Sequence, residues 1–169
     1  MIRAAVITIS DSVHAGTRED ISGPAVAERL DQLGWTVAAM EVLPDDAHAI
    51  SGRLTTLADG NDVSAIFTTG GTGVAPRDVT PEATRAVLER DIPGIAECMR
   101  TEGRSSTPLA ALSRAVAGTR GKVLIVNLPG SPRGAVESLN AIVDLVPHVL
   151  DLLRGNTEHS PRTKLETGA

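Results

Sequence analysis

The chain has little of what a nucleic-acid binder uses. Among its 169 residues there is one Trp, one Phe and no Tyr, and 16 Lys and Arg stand against 21 Asp and Glu, so the formal net charge is −5. A nucleic-acid interface needs a basic face and usually aromatic rings on which bases stack. Nucleic acid is therefore not expected among the partners.

Cysteine and long apolar runs are also scarce. Cys98 is the single cysteine, so the chain can form no internal disulfide and offers no Cys/His cluster for zinc. This fits a reducing compartment, and we expect a cytoplasmic protein. The apolar run at 4–9 is too short for a signal sequence, and no stretch approaches the roughly 20 apolar residues of a membrane span. No membrane association is expected.

What is present predicts a single α/β domain over 1–154, followed by a polar and flexible tail over 155–169. Apolar, β-branched stretches alternate with helical patterns, which is typical of a mainly parallel sheet flanked by helices. The predicted strands are 2–9, 35–43, 63–67 and 122–128. The predicted helices are 24–33, 47–58, 81–89, 93–102, 109–116, 134–145 and 147–153.

The stretch 66–84 runs from a buried strand through a glycine turn into a helix. Several residues of the turn let backbone N–H groups or hydroxyls approach an anion: Thr69, Gly70, Gly71, Thr72 and Gly73. Arg77 and Asp78 add charge of both signs, and Thr80 as N-cap with Pro81 at the first position is expected to begin the helix. A plain strand-to-helix connection would explain the same glycines.

Polar residues follow the other strands as well. They are Ser10, Asp11 and Ser12 after the first strand, Asp45 and Asp46 after the second, and Pro129, Gly130, Ser131 and Pro132 after the last. Asp45 is open to two explanations, a helix N-cap or a functional carboxylate. Because the carboxyl ends of parallel strands share one edge, these loops are expected to converge there with the glycine turn. The sequence thus predicts an anion-binding site at that edge.

Ser113 and Arg114 form a further candidate pair. A hydroxyl beside a guanidinium suits a phosphate group. A solvated face of the predicted helix 109–116 explains the pair equally well.

Taken together, these motifs resemble the molybdenum cofactor biosynthesis family of the MoaB/Mog type, which includes bacterial molybdopterin adenylyltransferase and the G domain of gephyrin. The resemblance spans residues 6 to 132. The matching residues are Ser10-Asp11, Asp20, Ser22-Gly23-Pro24, Pro44-Asp45, Thr68 to Gly73, Arg77 to Thr84, Leu112-Ser113-Arg114, Gly118 and Asn127 to Pro132.

The resemblance implies a three-layer α/β/α sandwich that assembles as a homotrimer or a multiple of it. It implies binding of molybdopterin and of ATP with Mg²⁺, transfer of AMP onto the molybdopterin phosphate with release of pyrophosphate, and a molybdate-inserting partner enzyme. The alternative is a non-catalytic molybdopterin-binding oligomer that stores or delivers the pterin. A general nucleotide-binding module fits less well, because the common glycine fingerprints are absent.

The resemblance also implies roles for individual residues. Asp45 and Asp78 would be catalytic and would bind Mg²⁺, a hard cation that prefers oxygen ligands. Ser113 would act on the adenylylated product. The residues implied in cofactor binding are Ser10, Asp11, Ser12, Thr69, Gly70, Gly71, Thr72, Gly73, Arg77, Arg114, Pro129, Gly130, Ser131 and Pro132.

Overall fold

A six-stranded sheet forms the centre of the fold in a computed structural model that describes residues 1–156. The strands are β1 (Arg3–Ile9), β2 (Thr36–Leu43), β3 (Ala65–Thr69), β4 (Arg90–Asp91), β5 (Ala117–Arg120) and β6 (Val123–Leu128). Their spatial order is β2-β1-β3-β6-β5-β4. The first four in that order are parallel, whereas β5 is antiparallel to β6 and β4 to β5. The predicted mainly parallel sheet is confirmed.

Seven helices connect these strands within the described residues. They are α1 (Asp11–His14), α2 (Ser22–Gln32), α3 (Ala47–Asp59), α4 (Thr80–Arg85), α5 (Pro93–Ser106), α6 (Pro132–Ile142) and α7 (Val146–Leu153). A short 3₁₀ helix, Pro108–Leu112, follows α5. The one-turn helix α1 lies where the sequence predicts only a loop.

The sheet is covered on both faces. Successive side chains of a strand point to opposite faces, so Ala4 and Val6 of β1 pack in one core with α2, α5, α6 and α7. Ala5 and Ile7 pack in a second core with α3 and α4. The predicted three-layer α/β/α arrangement is therefore confirmed, and it explains why β1 is apolar on both faces.

The carboxyl ends of the four parallel strands lie side by side. Ile9 of β1 pairs with Leu43 of β2, and Thr69 of β3 pairs with Leu128 of the neighbouring β6. Ser10 N–H donates to Leu43 (2.9 Å), which brings the first two loops together. The predicted convergence of the loops after β1, β2, β3 and β6 is confirmed.

Thr80 does not cap α4, contrary to the prediction. The N-cap position is Val79, which makes no side-chain cap hydrogen bond. The Thr80 side chain is fully buried, and its hydroxyl donates to the Gly70 carbonyl (3.0 Å). The predicted helix 81–89 also ends early, because the N–H of Glu89 donates to Thr119 (2.8 Å) and draws the chain into β4.

The predicted helix 109–116 is wrong. After the 3₁₀ helix the chain is extended at Ser113, and Arg100 donates to the carbonyls of Ser113 (3.3 Å) and Ala115 (3.2 Å). Tertiary contacts thus satisfy carbonyls that a helix would have bonded internally. Strands β4 and β5 are not evident from the sequence, because they are short and β5 contains Gly118.

Two further predictions concern membrane-spanning segments and the C-terminal tail. Within residues 1–156 no helix is both long and apolar enough to cross a bilayer. The predicted tail begins at residue 155, and from residue 157 onward it lies outside the described residues.

Candidate functional site

Two cavities open at the carboxyl edge of the sheet and share a wall. The polar cavity, about 400 Å³, lies between the loops after β1, β2 and β3 and includes Asp20 and Asp45. The apolar cavity, about 390 Å³, lies against α5 and the 3₁₀ helix and includes Met99 and Leu112. The residues common to both are Gly71, Asp78, Gly130 and Ser131. Ligands in the two cavities would therefore meet at this wall.

All four carbonyls of the glycine turn, residues 70–73, accept hydrogen bonds from other parts of the chain. In chain order they accept from Thr80 Oγ1 (3.0 Å), Thr80 N (3.2 Å), Arg114 N (2.9 Å) and Arg114 Nε (2.6 Å). The N–H of Gly70 donates to Leu128 (3.2 Å), but no group among residues 1–156 accepts from the next three N–H groups. Three consecutive backbone donors thus remain for a ligand, as in an anion-binding nest.

Glycine is required at position 71 both by the backbone conformation and by the lack of room for a side chain. Its φ is 64°, in the left-handed region, and the preceding Gly70 has φ 105°. A Cβ at Gly71 would lie 2.3 Å from Thr80 Oγ1 and 3.0 Å from Asp45 Oδ1. Glycine therefore allows the turn to approach the Asp45 carboxylate closely.

Asp45 is not a helix cap. Asp46 caps α3, with its Oδ1 accepting from Ala49 N–H (2.7 Å). Asp45 instead exchanges hydrogen bonds with Asp11: Asp11 N–H donates to Asp45 Oδ2 (2.9 Å), and Asp45 N–H donates to Asp11 Oδ1 (3.0 Å). Of the two explanations that the sequence leaves open for Asp45, the cap is excluded.

Arg77 connects this pair to the loop that bears Asp78. Its Nε and Nη2 donate to Asp11 Oδ2 at 2.9 and 2.7 Å. The Arg77 side chain is 66% exposed, so the ion pair adds little stability. Its contribution is to join the loop after β3 to the loop after β1.

Asp78 is held by its own loop. Its Oδ2 accepts from Ala75 N–H (2.8 Å), and its N–H donates to the Ala75 carbonyl (2.9 Å). A Cβ at Gly73 would lie 2.8 Å from Asp78 Oδ2, so the carboxylate lies close against the glycine turn. The loop therefore fixes one oxygen of Asp78 at the wall between the cavities.

The carboxylates influence one another electrostatically. The pKa of Asp45 is raised above 3.8, chiefly by desolvation and further by the negative charges of Asp11 and Asp78. The pKa of Asp11 is lowered, chiefly by the hydrogen bonds from Arg77 and by that from Asp45 N–H. Asp45 and Asp78 thus repel each other, and a cation between them would relieve the repulsion.

The carboxylate oxygens available here suit Mg²⁺ better than a metal ion whose ligands all come from the protein. Within the described residues no group of three or more His, Cys, Asp or Glu side chains is placed to hold a metal ion. Asp45 Oδ1 and Asp78 Oδ1 accept no hydrogen bond from residues 1–156, which leaves one carboxylate oxygen on each. Mg²⁺ commonly takes one or two carboxylates and completes its shell with water and substrate phosphates.

The N-terminus of α6 completes the shared wall. Ser131 caps the helix, its Oγ accepting from Gly134 N–H (3.1 Å), and the partial positive charge of the helix terminus favours an anion. Ser113 lies across the apolar cavity, where its Oγ accepts from Ala115 N–H (3.3 Å). The hydroxyl proton of Ser113 remains available to a ligand.

Most of the predicted site residues line the cavities. Those along the polar cavity are Ser10, Asp45, Thr69, Gly70, Gly71, Asp78, Gly130, Ser131 and Pro132. Those found only along the apolar cavity are Thr72, Gly73, Ser113 and Pro129. The predicted residues that line neither cavity are Asp11, Ser12, Arg77 and Arg114. Of these, Asp11, Arg77 and Arg114 hold the loops that bear the two key carboxylates.

Some lining residues are missed by sequence reasoning. Asp20 matches the family pattern but receives no role there, and in the structure it accepts from Thr8 Oγ1 (2.7 Å) and Gly23 N–H (3.0 Å) beside the polar cavity. A lone hydroxyl in the apolar β1, Thr8, is the signal that could have drawn attention to it. Met99 and Glu137 on helix faces give no such signal.

Comparisons with known proteins agree with this geometry. Residues 5–148 match the family model described as "Probable molybdopterin binding domain". A curated protein of Helicobacter pylori named molybdopterin adenylyltransferase is 40% identical, with 92% of this chain and 89% of that protein covered. The protein of the same name from Escherichia coli is 37% identical, with 91% and 86% covered.

Solved structures show the same likeness. The molybdopterin biosynthesis enzyme MoaB of Thermus thermophilus is 50% identical with a TM-score of 0.86, covering 92% of this chain and 98% of that one. The molybdopterin biosynthesis Mog protein of Mycobacterium ulcerans is 39% identical with a TM-score of 0.85, covering 90% and 99%.

Proposed function

The chain belongs to the molybdopterin-binding domain family of molybdenum cofactor biosynthesis, and on that premise we propose that it transfers AMP from ATP to the phosphate of molybdopterin. The relatives named molybdopterin adenylyltransferase are matched over nearly their whole length. The product would be adenylylated molybdopterin, consumed by a molybdate-inserting partner enzyme. A cytoplasmic location fits this chemistry and the single cysteine.

The observation that carries the proposal is the wall shared by the two cavities. Transfer between two substrates needs a site for each, with the reacting groups brought together at one point. Gly71, Asp78, Gly130 and Ser131 form such a point, where backbone donors, a helix N-terminus and a carboxylate meet. A protein that only stored a pterin would need one cavity.

The reaction requires positioning and charge stabilisation. An oxygen of the molybdopterin phosphate attacks the α-phosphorus of ATP, the bond from that phosphorus to the bridging oxygen breaks, and pyrophosphate leaves with the electron pair. The free N–H groups of the glycine turn would bind phosphate oxygens on which charge accumulates. Ser113 and the α6 N-terminus, which line the same cavity, would supply further donors to the phosphates.

Asp45 and Asp78 would hold Mg²⁺. The ion, when bound, supplies Lewis-acid neutralisation of the phosphate charge. The hydrogen bonds to Asp45 Oδ2 and Asp78 Oδ2 fix each carboxylate and leave Oδ1 for the ion. The alternative of a non-catalytic pterin-binding oligomer is not favoured, because it gives this pair of carboxylates no use.

The direct test is incubation of the purified protein with molybdopterin, ATP and Mg²⁺. We expect pyrophosphate and adenylylated molybdopterin to appear in equal amounts, and neither to form without Mg²⁺. Tight molybdopterin binding with no pyrophosphate would instead support the storage function.

The pH dependence should report on Asp45. Because its pKa is raised, the carboxylate is retained above that pKa and lost as the pH falls through it, so the acidic limb of kcat/KM should lie above the ordinary value of 3.8. Asp11→Asn removes a nearby negative charge but keeps the Asp11 N–H donor, so the limb should move to lower pH. An unmoved limb in Asp11→Asn would mean that another group titrates.

We also propose a homotrimer or a multiple of it. Support comes from exposed aliphatic side chains outside the two cavities, which suit an interface in a chain so poor in aromatic residues: Met40, Val74, Leu145 and Leu152. Light scattering should give about three times the chain mass of 17.5 kDa, or a multiple of that value. A monomer at micromolar concentration would contradict the proposal.

A further inference from the structure

Arg114 lines neither cavity, yet its side chain hydrogen-bonds to both ends of the loop that runs from Gly73 to Asp78. Its Nε donates to the Gly73 carbonyl (2.6 Å), its Nη2 donates to the Asp78 carbonyl (2.6 Å), and its Nη1 binds Glu82. The Arg114 N–H also donates to the Thr72 carbonyl (2.9 Å). One residue thus holds both ends of the segment from the glycine turn to Asp78.

Hydrogen bonds from Thr80 and Arg114 together decide which way the peptide groups of the turn point. A peptide group is planar, so a carbonyl tied to one side directs the N–H of the next residue to the opposite side. Arg114 donates to the carbonyls of residues 72 and 73, and Thr80 donates to those of residues 70 and 71. The bonds from Thr80 thus direct the N–H groups of residues 71 and 72, and the backbone N–H of Arg114 directs that of residue 73. The Arg114 guanidinium fixes the next peptide group, between Gly73 and Val74, where the turn ends.

We infer that Arg114 is a positioning residue for the reaction: its guanidinium joins the end of the glycine turn at Gly73 to the backbone of Asp78, and so sets the place of Asp78 without touching either substrate. This inference rests on the proposed AMP transfer. It replaces the expectation that Arg114 binds cofactor, because its three guanidinium nitrogens donate to Gly73, Asp78 and Glu82, and the residue lines neither cavity.

Arginine is needed here because the guanidinium is a rigid fork. Gly73 and Asp78 present two carbonyls to different nitrogens, and Glu82 takes a third. A lysine ammonium is a single point charge and cannot reach all three in that geometry. Arg114→Lys therefore keeps the charge but removes the fork.

The experiment compares Arg114→Lys with Glu82→Gln as matched control. Glu82 is exposed at the outer end of the contact, and its loss leaves both carbonyl contacts in place. We expect Arg114→Lys to lose about 10²-fold in kcat/KM, since small displacements of reacting groups cost that much, and Glu82→Gln to stay within about two-fold. Arg114→Lys should also raise the Mg²⁺ concentration needed for half-maximal rate.

Two readouts separate positioning from a purely structural role. Free guanidinium, well below unfolding concentrations, should restore part of the activity of Arg114→Ala, which would not occur if the variant were simply unfolded. Amide hydrogen exchange of Arg114→Lys should be faster at Ala75 and Asp78, whose N–H groups are bonded within the loop, and unchanged in β6.

The outcomes are distinct. Normal kcat/KM in Arg114→Lys, or unchanged exchange at Ala75 and Asp78, overturns the inference even if AMP transfer occurs. If the wild-type protein transfers no AMP, the proposed function fails, and the exchange data alone still decide whether Arg114 orders the loop.

Discussion

Asp78→Asn should lower turnover by about 10²-fold or more while leaving the fold intact. Asp78 lies on the wall between the two cavities, and the substitution removes its charge with almost no change in volume. The amide oxygen of Asn can still accept from Ala75 N–H, so the loop should keep its conformation. The loss would therefore be confined to electrostatic stabilisation and Mg²⁺ binding.

Asp46→Asn is the matched control for this experiment. It removes a charge next to Asp45, and asparagine caps a helix as well as aspartate does. We expect normal turnover from Asp46→Asn and an unchanged melting temperature in both variants. Initial rates of pyrophosphate release beside a thermal melt measure this, and near-normal turnover in Asp78→Asn would remove Asp78 from the catalytic group.

Gly71→Val should abolish ligand binding and destabilise the protein at the same time. The sequence alone allows a folded variant that no longer binds, but the structure shows that Gly71 also serves the fold. Left-handed backbone costs a residue with a side chain roughly 1–2 kcal/mol, and the contact with Thr80 Oγ1 adds overpacking of roughly 1–3 kcal/mol. For a chain of this size the melting temperature should fall by roughly 4–20 °C.

The variant Gly121→Val separates the effect of backbone strain from the effects of steric overlap and lost ligand binding. Gly121 has φ 54°, and a Cβ there meets nothing within 4 Å, so the variant carries the backbone strain without the collision. It lies at the turn between β5 and β6, away from both cavities, and should bind ligand normally. Calorimetric titration with ATP at a temperature where each variant is folded provides the measurement. A folded Gly71→Val that binds normally would contradict the phosphate-binding turn.

The sequence by itself determined the architecture and the place of the site. Apolar, β-branched stretches such as residues 3–9 have the pattern of strands covered on both faces, and this pattern is local. Parallel strands bring their following loops to one edge, so the convergence of Asp45, the glycine turn and Ser131 follows from the order of strands and helices. The family motifs lie in those same loops.

Only the tertiary structure decided which partner each polar side chain takes. Asp45 and Asp46 are adjacent and chemically alike, yet Asp46 caps α3 whereas Asp45 pairs with Asp11, 34 residues away. Arg114 belongs by sequence to an apparent helix, but its partners Gly73 and Asp78 are 41 and 36 residues away. Backbone periodicity is encoded over a few neighbouring residues, whereas such hydrogen bonds depend on packing that brings distant segments together, so no local pattern contains them.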